Sequence, residues 1–332
     1  MRQPEVARLA ALLLALVLVV PVAQGGHAML VAGAFLVEFL SQGRLTPLSA
    51  LTETPARERL PIAGVEVDRY APAPFGRGRT LVLVHGVAPQ GKDDPRAREA
   101  AALFARAGFD VLVPTVPGLT RGRLRPDDVA VVRATLAARR GPAVVLGVSL
   151  GSGPALLAAA DPSVRERVSA VVSLGGYASA LEVLRFWLTG VYEYGEVRGR
   201  VRHDPDLVRA FVRMNADLLE PSEREALESA DPERAARVLA LLPATRRRDL
   251  EALSPISVAR AIPGRLVLIH GRGDRAVPYT ESLRLAAARP APTRLVLVSL
   301  MDHVETGRGV SWQDARDVAA LWRVVYALLA GS

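Results

Sequence analysis

The pentapeptide Gly147-Val148-Ser149-Leu150-Gly151 follows the apolar run 143–146 and precedes an Ala/Leu-rich stretch at 154–160. A strand, a sharp turn and a helix in that order expose the central serine hydroxyl at the top of a sheet. The residues two before and two after it must then be small. Glycine occupies both positions, and Gly153 gives the helix further room. A serine hydroxyl is a weak nucleophile until a base removes its proton, and the base in turn needs a group to orient it. The run 265–271 reads as a buried strand ending at His270-Gly271, with Asp274 just beyond. The run 293–298 is also strand-like, and Met301-Asp302-His303 lies past its end. The chain has five histidines, and His303 alone follows Asp274. Nucleophile Ser149, acid Asp274 and base His303 therefore occur in the chain order Ser, Asp, His, with acid and base each beyond a strand's carboxyl end.

These residues make the chain similar to the serine-dependent α/β-hydrolases, esterase- and lipase-like, over about residues 60 to 332. The segment Thr80-Leu81-Val82-Leu83-Val84-His85-Gly86 resembles that family's early central strand, whose His-Gly ending leads into the oxyanion loop. The resemblance implies a mostly parallel α/β sheet flanked by helices. It implies Ser149, Asp274 and His303 as a catalytic triad, and the backbone N–H groups of Leu150 and Val87 as oxyanion donors. It also implies a structural role for His85, whose ring would hold the loop. No Gly-Gly-Gly-type loop follows His85, which departs from the lipases that use one. No cofactor and no metal are implied. Asp93 and Asp94, near the proposed site, are read as helix-capping residues rather than metal ligands. The triplet Arg272-Gly273-Asp274 is a coincidence of composition, since Asp274 already serves the triad.

The expected reaction is hydrolysis of carboxylic esters through an acyl-enzyme, with a small-molecule acyl substrate carrying a short or medium acyl group. The same machinery serves thioesters and peptides, so a thioesterase or a serine peptidase is the alternative. A non-catalytic binding member of the fold is the remaining reading. Dehalogenases and epoxide hydrolases of this fold need aspartate at the elbow, and Ser149 disfavours both.

Composition bounds the rest. The chain has 332 residues, half of them apolar, enough for a sizeable core in one large domain. It has no cysteine, so disulfides, thiolate metal sites and a cysteine nucleophile are excluded. The formal charge of +8 comes almost wholly from arginine interleaved with Asp and Glu, Lys92 being the exception. A nucleic-acid footprint would concentrate that charge in a patch with aromatics, and none is visible.

The domain reading is 1–45 as an N-terminal membrane anchor or signal segment, 46–62 as a linker, and 63–332 as the hydrolase domain. Arg2 and Arg8 precede the apolar run 9–23, and a second apolar run covers 28–40 apart from Glu38. An uncleaved anchor placing the catalytic domain outside the cytoplasm is expected, with secretion after signal cleavage as the alternative. Strands are expected at 65–70 (an edge strand), 80–86, 110–114, 143–148 and 168–175. Helices are expected at 94–107, 127–140 and 312–330. The interval of about 178–255 is too long for a crossover and carries helix signals, so it is read as a helical cap. Within it Phe186, Trp187, Tyr192 and Tyr194 are candidates for a subsite wall or for packing the cap on the body.

Overall fold

The computed structural model describes residues 25–74, 76, 78–139, 141–289, 292–299 and 312–331. The chain opens with helix α1 at 25–40 and the short α2 (Pro47–Leu51). Strands β1 (Arg57–Ile62) and β2 (Val65–Tyr70) form a hairpin, then β3 (Arg79–Val84), α3 (Pro95–Arg106) and β4 (Phe109–Pro114) follow. Next come α4 (Pro117–Thr120), α5 (Pro126–Ala137), β5 (Ala143–Val148), α6 (Ser152–Ala160) and β6 (Val168–Leu174). An insertion carries α7 (Ala180–Thr189), the hairpin β7 (Val191–Tyr194) and β8 (Val197–Arg200), α8 (Pro205–Met214), α9 (Pro221–Glu228), α10 (Pro232–Ala240) and α11 (Ala244–Ala252). The body resumes with β9 (Arg265–Gly271), α12 (Thr280–Ala288), β10 (Thr293–Val298) and α13 (Trp312–Ala330).

Eight strands form one sheet in the order β1-β2-β4-β3-β5-β6-β9-β10. From β4 to β10 every pairing is parallel, and β2 joins β4 antiparallel. This is the α/β-hydrolase fold. Parallel strands need covered faces, so the strands are apolar on both sides. Leu81, Leu83, Val144, Leu146, Val172 and Ile269 point to the face covered by α1, α3 and α13. Val82, Val84, Val145, Val171, Leu266 and Leu268 point to the opposite face, which packs against α5, α6 and α12.

The N-terminal expectations need correction. Among the described residues no helix is long and apolar enough to cross a membrane. The transmembrane reading is therefore withdrawn, and the run 9–23 lies outside the described residues. The second apolar run is α1, and its apolar stripe has a protein partner: Ala28, Val31, Ala32, Phe35 and Leu36 are buried at the i, i+3, i+4 spacing of a helix face. Phe35 sits 4.8 Å from Phe104 of α3 between ring centroids, and Trp322 of α13 donates from its indole to the Met29 carbonyl. Glu38, the one charge in the run, accepts from the Leu48 and Ser49 N–H groups and so caps α2 onto α1.

The stretch 46–62 is likewise more than a linker. It contains α2 and β1, and β1 is the sheet edge, which moves β2 one place inward from the edge expected for it. Ala63 and Gly64, both at positive φ (+48° and +78°), close the two-residue β1–β2 turn. Inside the insertion, Asp231 caps α10 as its Asp-Pro sequence suggests. The sequence Ser222-Glu223-Arg224-Glu225 has the form of a capping box, but the helix at 221–228 starts one residue before Ser222. Proline is preferred at the first helical position, so Pro221 takes it and Glu220 becomes the cap.

Candidate active site

Ser149 stands at the carboxyl end of β5, near the middle of the sheet, where open α/β sheets bind ligands. Its φ is +51°, in the left-handed region that non-glycine residues rarely enter. From Ser149 the chain runs through a 3₁₀ turn (Ser149–Gly151) directly into α6, so the Leu150 N–H lies in a first helical turn, where no intrahelical acceptor exists. Neighbouring backbone leaves no room for side chains on the flanking glycines. A Cβ on Gly147 would stand 2.5 Å from Ser152 Cα, and one on Gly151 would stand 2.1 Å from the His85 carbonyl oxygen. Gly86 meets the elbow closely too, with its notional Cβ 3.2 Å from Ser149 Cβ. These contacts wedge the loop after β3 against the serine turn.

Because rigid backbone lies on both sides, Gly151→Ala should destabilise the protein by roughly 3 kcal/mol. Gly33→Ala in α1, where a Cβ meets nothing within 4 Å, should be neutral or stabilising by up to about 1 kcal/mol. Urea unfolding of the two variants checks the pair; equal midpoints would show that the elbow is not tightly packed.

The loop after β3 is pinned by His85, which is buried. Its Nδ1 lies 2.7 Å from the Gly86 carbonyl and its Nε2 3.1 Å from the Val116 N–H. The carbonyl can only accept and the amide can only donate, so the ring is the neutral tautomer protonated at Nδ1. His85 thus joins the loop after β3 to the segment after β4, in agreement with a structural role. Beyond it, the half-exposed Val87 has an N–H that donates to no group among the described residues. Further along, Lys92 Nζ lies 2.8 Å from Asp93 and 3.3 Å from Asp68, while Asp94 accepts from the Arg96 N–H and caps α3. Both acidic side chains are therefore already engaged.

Burial holds His85 below the usual imidazole range, outweighing the Gly86 carbonyl and Asp94, which act in the opposite direction. The folded protein then binds fewer protons at this site than the unfolded chain. Its contribution is complete above the unfolded value near 6.5 and is lost as the pH falls below it, by up to about 1.4 kcal/mol per pH unit. His203, also held low by burial, adds to the slope, so the wild type must be compared with a variant. Unfolding free energies at pH 7.5 and 5.0 should differ less in His85→Gln than in the wild type; equal differences would mean that His85 is not a buried neutral ring.

Asp274 lies in the loop after β9. Its Oδ1 accepts from the N–H groups of Ala276 (2.8 Å) and Val277 (3.0 Å). Its Oδ2 is turned toward the end of β6, 3.2 Å from where a Gly175 Cβ would stand. Beneath the loop, buried His270 lies 2.9 Å from the Val277 carbonyl through Nε2 and 2.7 Å from Ser282 Oγ through Nδ1. A carbonyl accepts only, so Nε2 carries a proton, and the ring ties this loop to β9 and α12. Glu281 of α12 accepts from the Ala178 and Ser179 N–H groups, fixing the point where the insertion leaves the body. His303 lies outside the described residues.

Ser149 opens into a cavity of about 1060 Å³, roofed by the insertion and lined almost entirely by apolar side chains. Val87, Leu150 and Val277 surround the serine, and Trp187, Phe211 and Leu253 approach from the insertion. Of the four aromatic residues singled out in the sequence, only Trp187 lines it. Phe186 is fully buried against Tyr192 and His203, and Tyr194 packs under Arg284. What the sequence reading missed is the contribution of Phe35, Leu36 and Phe39 from α1. The 28/31/32/35/36/39 stripe was a visible signal for it.

A profile of the α/β hydrolase fold matches residues 79–304. No curated protein gives a significant match. Among solved structures, the 2,6-dihydroxy-pseudo-oxynicotine hydrolase is 19% identical, with 96% of this chain and 84% of that chain covered and a TM-score of 0.51. A Mycobacterium tuberculosis puromycin-hydrolyzing peptidase is also 19% identical, with 87% and 41% covered and a TM-score of 0.52. The meta-cleavage product hydrolase CumD of Pseudomonas fluorescens is 20% identical, with 81% and 96% covered and a TM-score of 0.43. At these identities the likeness is one of fold. With the family profile matching 79–304 and an eight-stranded sheet that carries the serine turn at its centre, the chain belongs to the α/β-hydrolase fold family.

Proposed function

We propose that the protein is a serine hydrolase that cleaves carboxylic esters through an acyl-enzyme. The observation that carries this reading is the left-handed backbone of Ser149 at the head of α6, with its hydroxyl at an apolar cavity. A residue that is neither glycine nor asparagine keeps such a conformation only where its surroundings enforce it, and such strain collects at functional sites. In the proposed reaction His303 takes the Ser149 proton as the oxygen attacks the acyl carbon. Asp274 orients the imidazole and balances its charge. The carbonyl oxygen gains negative charge and is met by the Leu150 and Val87 N–H groups, whose fixed dipoles need no reorganisation. The imidazolium then gives its proton to the leaving alkoxide, and the alcohol departs. Water, deprotonated by the same imidazole, attacks the ester on Ser149 and releases the acid.

Asp274 is suited to its part by its surroundings. Two backbone amides hold one carboxylate oxygen, and the other, Oδ2, lies 3.6 Å from His270 Nε2, beyond hydrogen-bond length, with room to accept from a second imidazole. The proposal is tested by turnover of p-nitrophenyl esters by the full chain and by its Ser149→Ala variant. Hydrolysis that disappears with the hydroxyl supports it, and hydrolysis undiminished in Ser149→Ala overturns it.

A further inference from the structure

The cavity at Ser149 continues past the serine on the side away from the insertion. There it runs down the face of the sheet along Val148, Leu146 and Val172, between the sheet and helices α1, α3 and α13. Phe35, Phe39, Ala100, Phe104, Leu321 and Leu328 form its far wall. Protein interiors are close-packed, and an apolar void is costly in proportion to its volume. The whole cavity, the part beneath the insertion included, has about 1060 Å³, at the upper end of the range for small-molecule sites, so it has the size of a binding site rather than of a packing defect. Two of its three helices, α1 and α13, lie outside the 79–304 stretch that the family profile matches.

Building on the serine-hydrolase reading, we infer that this lobe holds the tail of a medium-length, unbranched acyl chain. α1 then serves as a specificity-determining wall. In the acyl-enzyme the acyl group stays bonded to Ser149 while the alcohol must leave. The lobe under the helices is the place for the retained group, and the side beneath the insertion for the departing one. From Ser149 to Leu146 is three residues of strand, about 10 Å, and from Leu321 to Leu328 is seven residues of helix, again about 10 Å. That depth accommodates roughly eight carbons beyond the carbonyl, the medium end of the short-or-medium range expected from the sequence. The wall is aliphatic and aromatic apart from Asp94 and Arg96 at the start of α3, which are paired with each other, so the lobe offers a hydrocarbon tail burial.

The test is kcat/KM of the full chain on p-nitrophenyl esters from butyrate to dodecanoate, kept below their micelle concentrations, together with fluorophosphonate labelling of Ser149. Each methylene buried should raise kcat/KM by up to about fourfold, so decanoate should exceed butyrate by roughly a hundredfold or more. Ala100→Phe, which fills the lobe from α3, should lower the decanoate-to-butyrate ratio at least about tenfold. Phe39→Ala, which enlarges it from α1, should move the optimum to longer chains and keeps the inference testable if the first variant does not fold. A flat or falling profile with Ser149 labelled overturns the acyl-tail inference and leaves the serine hydrolase standing. A rising profile that neither substitution alters overturns the placement of the tail. Absence of both turnover and label in folded protein overturns the inference together with the reading beneath it.

Discussion

Replacing Ser149 by alanine should lower kcat for any ester that the protein hydrolyses by about 10⁵- to 10⁶-fold. That corresponds to about 7 kcal/mol of lost transition-state stabilisation for the smaller figure. The loss is large because the covalent route disappears altogether, leaving only positioning and the oxyanion donors to assist direct attack by water. Stability should respond in the opposite direction or hardly at all. Serine and alanine share the backbone strain at φ +51°, and the missing oxygen fills no packed space, since it borders the cavity. Purified Ser149→Ala should therefore melt within a few degrees of the wild type while its activity falls to the assay floor. Retention of more than a hundredth of the wild-type rate would assign the nucleophile elsewhere.

Asp274→Asn should lower kcat by about 10⁴-fold. The substitution suits the local geometry. Asparagine keeps one carbonyl oxygen, which can still accept from the Ala276 and Val277 N–H groups, so the turn after β9 should survive. The position of Oδ2 is then taken by an amide nitrogen, a donor where the imidazole needs an acceptor. The imidazole is driven to the wrong tautomer and cannot take the serine proton. An unchanged melting temperature with a loss of this size would identify Asp274 as the orienting acid. A loss under tenfold would transfer that role to another carboxylate.

The elbow was legible in the sequence because its constraint is local. Gly147 and Gly151 are forced by backbone one turn and one loop away, and that requirement shows as a fixed spacing around Ser149. The core strands β3, β5, β6 and β9 were legible for a related reason. Burial on both faces makes each an unbroken apolar run bounded by turn residues. The edge strand β1 was not legible. Arg57-Glu58-Arg59-Leu60-Pro61-Ile62 is charged and contains proline, as exposed edge strands can be, and so it read as linker. Helix α1 was misread because apolar content was weighed without its periodicity. The residues at 28, 31, 32, 35 and 36 are buried, whereas Met29, Leu30 and Val37 are exposed, and that one-sidedness belongs to a helix docked on protein. The cavity could not have been read from the sequence at all. Its walls join Phe35, Leu146 and Leu328, which are brought together only by the order of strands in the sheet.

The most direct measurement is mass-spectrometric mapping of the adduct formed when the folded 332-residue chain is treated with a fluorophosphonate. The proposed chemistry predicts one phosphonyl group per chain, located on Ser149, with hydrolytic activity lost in step with labelling. A folded, ester-cleaving protein that takes no label, or takes it on another serine, would contradict the assignment of Ser149 as the nucleophile.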